Sequence, residues 1–323
     1  MKFLTHLLAG VLCSIAPFAA TAQAFPDRPI RLIVPFPAGG PADSIARHLG
    51  KSLTDTLKQP VVIENRAGAG GVIGLDVVAK AKPDGYTLGI GSIANMGINV
   101  SLMEKLPYDA RKDFTPISNG GMTTGIILAH AGVPFSDFPG LIAYAKANPG
   151  KLGYATAGIG SVGHMVGLAL EQETGAKMSH VPYRGTGPAA QDLLAGVVPL
   201  FIETSLTTAI QHMGSGRIKL IVVTRKNRSR MLPNVPGMGE FNLPAIDSPA
   251  WFGVVGPANM PPAVVARLNE AVIAALRQPE TAEIYANFGA EPAPTSPAEF
   301  ASFIDQEIQR WSRVVKAANL SPQ

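Results

Sequence analysis

The sequence predicts an α/β protein of two α/β domains joined by two crossover segments. Three observations lead there. Short apolar runs alternate with apolar residues spaced every four positions in two separate series, glycine-rich turns separate run from periodicity, and the C-terminal part is helical apart from one run. Strands alternating with helices imply a parallel sheet covered on both faces, with ligand sites at the carboxyl ends of the strands. A tail with one strand cannot make a third such domain, so it is expected to pack back onto the first.

The first series opens with the strand Ile30 to Val34, which ends in Pro35-Phe36-Pro37-Ala38-Gly39-Gly40. Ile45, Leu49, Leu53 and Leu57 then recur every four residues and mark a helix. Val61 to Glu64, the loop Asn65 to Gly71 and a helix through Val72, Val77 and Val78 repeat the pattern, and Tyr86 to Ile90 is a third strand. The second series runs from the strand Ile126 to Ala129 through a helix at Asp137 to Ala147, the strand Leu152 to Ala157 and the loop Gly158 to Gly163. A helix at Val166 to Leu170, the strand Ser179 to Tyr183, a helix from Pro188 to Ala195, the strand Pro199 to Glu203, a helix to Met213 and the strand Leu220 to Thr224 complete it.

Met231 to Pro249 is rich in proline and glycine, as a connection between domains is expected to be. In the tail, Trp251 to Val255 is a strand, and Val264, Leu268, Val272 and Leu276 mark a helix. Ser296 and Glu299 form a capping box before a helix with a core face of Phe300, Ile304, Ile308, Trp311 and Val315. The expected division is residues 1–24 as a leader, 25–125 with 248–323 as the first domain, and 126–247 as the second, with crossings near Gly125 and Ser248.

Composition narrows the class. Of 323 residues 46% are hydrophobic and 15% charged, enough to bury ordinary cores. Lys2, an apolar stretch from Leu7 to Ala20 and the small-residue site Ala22-Gln23-Ala24 have the order of a secretory signal, cut after Ala24 or, as second choice, Ala22. The stretch is shorter than the roughly 18 to 20 residues a membrane span needs, and Pro17 interrupts it. The one cysteine, Cys13, lies inside the leader, so the mature chain is expected to form no disulfide; Leu12 before it argues against lipid attachment. The net charge of +4 is dispersed, densest between Arg225 and Arg230 without interleaved aromatics, which gives no support for nucleic-acid binding.

Glycine loops entering helices occur at Gly39-Gly40, Gly68 to Gly71 and Gly158 to Gly163. Such turns present backbone N–H groups beside a positive helix end and attract anions. Gly158-Ile159-Gly160-Ser161-Val162-Gly163 also fits the dinucleotide pattern GxGxxG, but His180, Tyr183 and Arg184 stand where an acidic ribose ligand is required. No GxSxG elbow, P-loop, HExxH or cysteine nucleophile follows, and His48, His130, His164, His180 and His212 lack ligand spacing. Neither cofactor nor metal is expected. His164, one residue past the loop, is a candidate for ligand contact, whereas Asp43 and Ser44 suit the first turn of their helix.

Taken together, several motifs resemble the periplasmic Bug receptors of tripartite tricarboxylate transporters. They are Pro29-Ile30-Arg31-Leu32-Ile33-Val34-Pro35-Phe36 running into Ala38-Gly39-Gly40-Pro41-Ala42-Asp43, Glu64-Asn65-Arg66 with Gly68, Gly70 and Gly71, and Lys82-Pro83-Asp84-Gly85-Tyr86-Thr87-Leu88. Ala143-Tyr144-Ala145-Lys146-Ala147-Asn148-Pro149-Gly150-Lys151, His180-Val181-Pro182-Tyr183-Arg184-Gly185 and Trp251-Phe252-Gly253 complete the set. The resemblance covers the mature chain. It implies a bilobed periplasmic binding protein, type II-like, that closes on a small organic acid and serves integral membrane subunits of such a transporter.

Transferred by motif, the ligand contacts are Phe36, Ala38, Gly39, Gly40 and Asp43 in the first domain. In the second they are Ala157, Gly158, Gly160 and Ser161 with the Tyr183-Arg184 turn. Glu203-Thr204 departs from a common Asp-Asn, a change expected to alter ligand preference if it lines the cleft. The expected function is therefore capture of a carboxylate by a monomeric periplasmic receptor, not catalysis. A sensor subunit for a signalling system and a periplasmic hydrolase are the alternatives.

Overall fold

A computed structural model describes residues 25–243, 246 and 249–318. The leader and the crossing at Ser248 lie outside the described residues. The chain begins with β1 (Ile30–Val34), α1 (Pro41–Leu57), β2 (Val61–Asn65), α2 (Val72–Ala79) and β3 (Thr87–Ser92). A π-helical turn, Ile93–Ile98, runs into α3 (Asn99–Leu102), and β4 (Phe114–Thr123) follows. The next elements are β5 (Ile126–His130), α4 (Phe138–Ala147), β6 (Gly153–Thr156), α5 (Val162–Thr174), β7 (Ser179–Pro182), α6 (Thr186–Ala195), β8 (Leu200–Glu203), α7 (Thr207–His212) and β9 (Ile218–Val223). The tail supplies β10 (Ala250–Pro257), α8 (Pro262–Leu276), α9 (Pro279–Ala286), β11 (Ala290–Glu291) and α10 (Pro297–Ala317).

Two sheets carry two lobes. The first has the order β11-β4-β10-β3-β1-β2 and the second β7-β6-β8-β5-β9. Leaving out β11, they share one topology, with β1, β2, β3, β10 and β4 matched by β6, β7, β8, β5 and β9. The expectation of parallel sheets is corrected here. β1 pairs in parallel with β2 and β3, and β6 with β7 and β8, but β10 and β5 run antiparallel to both their neighbours. The reason is where the chain enters. It leaves β4 at the edge where β1 and β3 also end, starts β5 at the matching edge of the other sheet, and so must run backwards.

The strand ends that flank the passages between the sheets lie side by side. Thr123 Oγ1 donates to the Thr204 carbonyl at 2.6 Å, with the Ala250 carbonyl at 3.3 Å, and the Thr224 amide donates to the Gly125 carbonyl at 2.8 Å. The first passage, from the first sheet into the other, falls between Thr123 and Ile126. The proline- and glycine-rich stretch before the second is not an exposed linker: Leu232, Val235, Met238 and Ile246 are buried, and Val223 bridges to Gly237.

The tail packs onto the first sheet, and β11 adds to it a second strand beyond the one expected. Ser296 caps α10, with the Glu299 amide donating to Ser296 Oγ at 3.2 Å and the Ser296 amide to Glu299 Oε2 at 2.8 Å. Phe300, Ile304, Ile308, Trp311 and Val315 are all buried. The Glu307 carboxylate accepts from both Trp251 Nε1 at 3.3 Å and Trp311 Nε1 at 3.2 Å, which fastens the helix to the start of β10. Burial pushes the Glu307 carboxyl up, against Arg310 and the two indoles.

Candidate functional site

In a sheet of this order the central strand sends the chain to one side and its neighbour sends it to the other, opening a crevice beyond their carboxyl ends. In the first lobe those strands are β1 and β3, in the second β6 and β8. The loops that flank the crevices are residues 35–40 and the π-helical turn in one lobe, and residues 157–161 and 204–206 in the other. Leu102 of α3 brings the lobes together: a Cβ built on Gly160 would lie 3.1 Å from Leu102 Cδ1.

The first loop is held from behind. Asp43, third residue of α1 and 3% exposed, accepts the Gly39 amide at 2.9 Å and Arg47 Nε at 2.8 Å on Oδ2, and Asn65 Nδ2 at 2.9 Å on Oδ1. Asn65 Nδ2 also reaches the Phe36 carbonyl at 3.1 Å. Burial pushes the Asp43 carboxyl up, but the bonds from Arg47, Gly39 and Asn65 outweigh it and hold the group below its usual 3.8. Gly40 caps the helix without a side chain, Ala38 is exposed, and Phe36 packs edge-on against Phe252 at 6.4 Å between centroids.

The second loop repeats the device with a different side chain. His164, third residue of α5, accepts the Gly160 amide on Nδ1 at 3.2 Å, as Asp43 accepts that of Gly39. An amide can only donate, so Nδ1 is bare and the ring proton sits on Nε2. Ser161 Oγ accepts the His164 amide at 3.3 Å. The His164 ring is 5% exposed and stacks on His180 at 3.9 Å and 13°. Desolvation, then the neighbouring His180, lower it to about 4. His180 Nε2 lies 2.7 Å from Thr156 Oγ1, which accepts the Gly158 amide at 3.2 Å. Gly160 itself has φ +74, a conformation glycine adopts without strain.

The Tyr183-Arg184 turn shoulders this loop. The Tyr183 amide donates to the Thr156 carbonyl and that of Gly185 to Ala157, each at 3.1 Å, while Arg184 is exposed. Tyr183 OH donates to Asp192 at 2.6 Å, and that bond pushes the phenol up to about 12. Glu203, 2% exposed, folds onto its own turn, accepting Ser205 Oγ at 3.0 Å and the Thr208 amide at 3.2 Å, and burial pushes it up to about 7. The Thr204 carbonyl belongs to the crossover contact described above.

Sequence reasoning missed the turn after β3. Ser92 and Asn95 are buried there, and Asn95 Oδ1 accepts the Ser92 amide at 2.8 Å. Asn95 Nδ2 and Ser92 Oγ have no partner among the described residues. Residues 68–71, all at positive φ although Ala69 carries a side chain, lie against this turn, so that a Cβ on Gly71 would come 2.7 Å from Asn95 Nδ2. The polar end of an otherwise apolar strand was the available signal. Among the described residues no group of three or more His, Cys, Asp or Glu is placed to hold a metal, and no helix is long and apolar enough to cross a membrane. A cavity of about 480 Å³ beside the crossovers, lined in part by Met122, Arg225, Glu307 and Arg313, includes none of the loop residues.

A profile of the tripartite tricarboxylate transporter family receptor matches residues 45–320. The protein BugT of Bordetella pertussis is 39% identical over 318 residues, covering 97% of each chain. Among solved structures, that of R. palustris Rpa4515 with adipate superposes with a TM-score of 0.81 at 32% identity, over 93% of this chain and 100% of that one. MatC from Rhodopseudomonas palustris with bound malate gives 0.76 at 35% identity, over 90% and 100%.

Proposed function

Because the chain belongs to the tripartite tricarboxylate transporter receptor family, we propose that it captures a small organic carboxylate in the periplasm and delivers it, unaltered, to the integral membrane subunits of such a transporter. The observation that carries this is the matched pair of glycine loops, each at the switch point of its sheet and each fixed by the third residue of the following helix. Phe36 and Ala38 to Gly40 form one wall and Ala157 to Ser161 the other, with Tyr183 and Arg184 at the rim. Asp43 and His164 act from behind the walls, and Glu203 and Thr204 close the floor near the crossovers. Two helix N-termini then face one anion. Relatives of this family bind adipate and malate, which supports a carboxylate of that size.

The lobes are assigned as residues 25–125 with 248–323, and 126–247, in a monomer. A thermal-shift screen with malate, adipate, amino acids and aromatic acids tests the function: a bound acid at 100 times its dissociation constant stabilises by roughly 2.7 kcal/mol. Gly40→Val is expected to abolish that shift and leave the unliganded melting temperature in place, since a Cβ there meets nothing nearer than the Pro37 carbonyl at 4.0 Å. A screen in which no carboxylate shifts the protein would sink the reading, and so would turnover of the bound acid. Residues 1–24 are assigned as a leader removed on export. Intact mass of protein from a periplasmic fraction is expected to start at Phe25, and retention of Met1 would refute it.

A further inference from the structure

We propose that His164 and His180 are the positioning residues of the second-lobe loop: as neutral imidazoles they hold Gly160 and Gly158 from behind, and a proton on His164 releases the loop. The inference rests on the reading of that loop as a wall of the ligand site. Two ends of one loop are fixed by one stacked pair, Gly160 through His164 Nδ1 and Gly158 through Thr156 Oγ1 and His180 Nε2. The first bond exists only while Nδ1 carries no proton, because an imidazolium has no acceptor.

Once charged, the ring would stand 3.9 Å from a parallel neighbour that is itself half-buried. Desolvation and a like charge both disfavour that state. The elements packed on α5 are β6, β7, β8, α10 and the π-helical turn. Their titratable groups are Tyr154 on β6, His180 on β7, Glu203 on β8, and Asp305, Glu307, Arg310, Arg313 and Lys316 among those of α10; α5 itself adds Glu171 and Glu173. Of these, His180 alone is in ring contact with His164. Its charge adds to burial in lowering His164 to about 4 from the ordinary 6.5. The unfolded chain binds the proton first, so stability falls as the pH drops from 6.5 towards 4.

Nitrogen NMR of the ligand-free protein tests the latch without any ligand. His164 is expected to show a proton on Nε2 and none on Nδ1 at pH 7, and the Gly160 amide signal to move with the same midpoint as the His164 ring. His164→Gln keeps an acceptor that does not titrate, so its Gly160 signal should stay flat down to pH 4. His164→Phe keeps the ring and loses the acceptor, so the signal should be displaced at every pH. A proton on Nδ1 at pH 7, or a Gly160 titration unchanged in the Gln variant, overturns the proposal. His180→Phe gives the parallel reading at Gly158 should the Gln variant not fold.

Calorimetry with malate and adipate connects latch to site. His164 at about 4 is half protonated at pH 4, so the wild type is expected to lose about twofold more affinity than His164→Gln between pH 7 and 4 and about tenfold more by pH 3, the loss common to both coming from the acid's own carboxyl groups. Equal losses would break the connection. If neither acid binds, it is the carboxylate reading that fails, and the NMR result still decides the latch.

Discussion

Asp43→Ala is expected to weaken carboxylate binding by ten- to a hundredfold and to lower the melting temperature by 5 °C or more. Four groups depend on that carboxylate: Gly39, Arg47 and Asn65 directly, and Phe36 through Asn65. Removing it leaves the Gly39 N–H without its acceptor and the Asn65 amide with the Phe36 carbonyl alone, at about 3 kcal/mol for charge-assisted bonds lost in a partly buried place. The loop that Asp43 anchors then moves, and each 1.4 kcal/mol or so of misplacement is a factor of ten in affinity. Calorimetry and thermal melts on the same preparation separate the two effects. Asp43→Asn gives the sign with pH. Asp43 sits below 3.8 in the fold, so its contribution is present above 3.8 and lost as the pH falls through the lower folded value. That acid loss should be missing from the Asn variant; an equal loss in both proteins would show that Asp43 is not the anchor.

Gly253→Ala is expected to be at least as damaging, through the core alone. Gly253 lies in the middle of β10, and the added Cβ would overlap the edge of the Phe300 ring at Cζ and lie 2.9 Å from the Ser118 carbonyl. Both neighbours are buried and packed, so neither can move aside. Overpacking of this kind costs about 1–3 kcal/mol or more, a drop of roughly 5–10 °C for a lobe of this size. Phe300→Leu introduced together with Gly253→Ala should recover part of it. If the double variant melts no higher than the single one, the clash with Phe300 is not the cause.

Much of this architecture was legible in the sequence because apolar period and glycine position report on local geometry. β1, β5 and α1, and the glycine loops, follow directly from such patterns. Strand direction does not. Nothing in Trp251 to Val255 tells whether its neighbours run with it or against it, since that depends on the edge at which the chain crosses. β4 was hidden by Pro116 and by Gly120-Gly121; a proline is tolerated because β11 pairs only with Met122 and Thr123, leaving the rest of that side of β4 as a sheet edge. At the site, sequence places Asp43 and His164 one turn into their helices but cannot say on which side of the loop they stand. The side is set by tertiary packing, on Asn65 in one lobe and His180 in the other.

The place of β10 between β3 and β4 also fixes an order of assembly. Residues 126–223 contain every strand of the second sheet, so that sheet can form from one continuous stretch. The first cannot: β3 and β4 have no contact to make until residues 250–257 slide between them, and α8 and α10 come later still. Pairings of such long sequence separation form slowly, because loop closure is paid before contacts reward it. β4 therefore stays outside the first sheet until nearly the whole chain has been made, whereas β1, β2 and β3 can pair as soon as residues 30–92 are available.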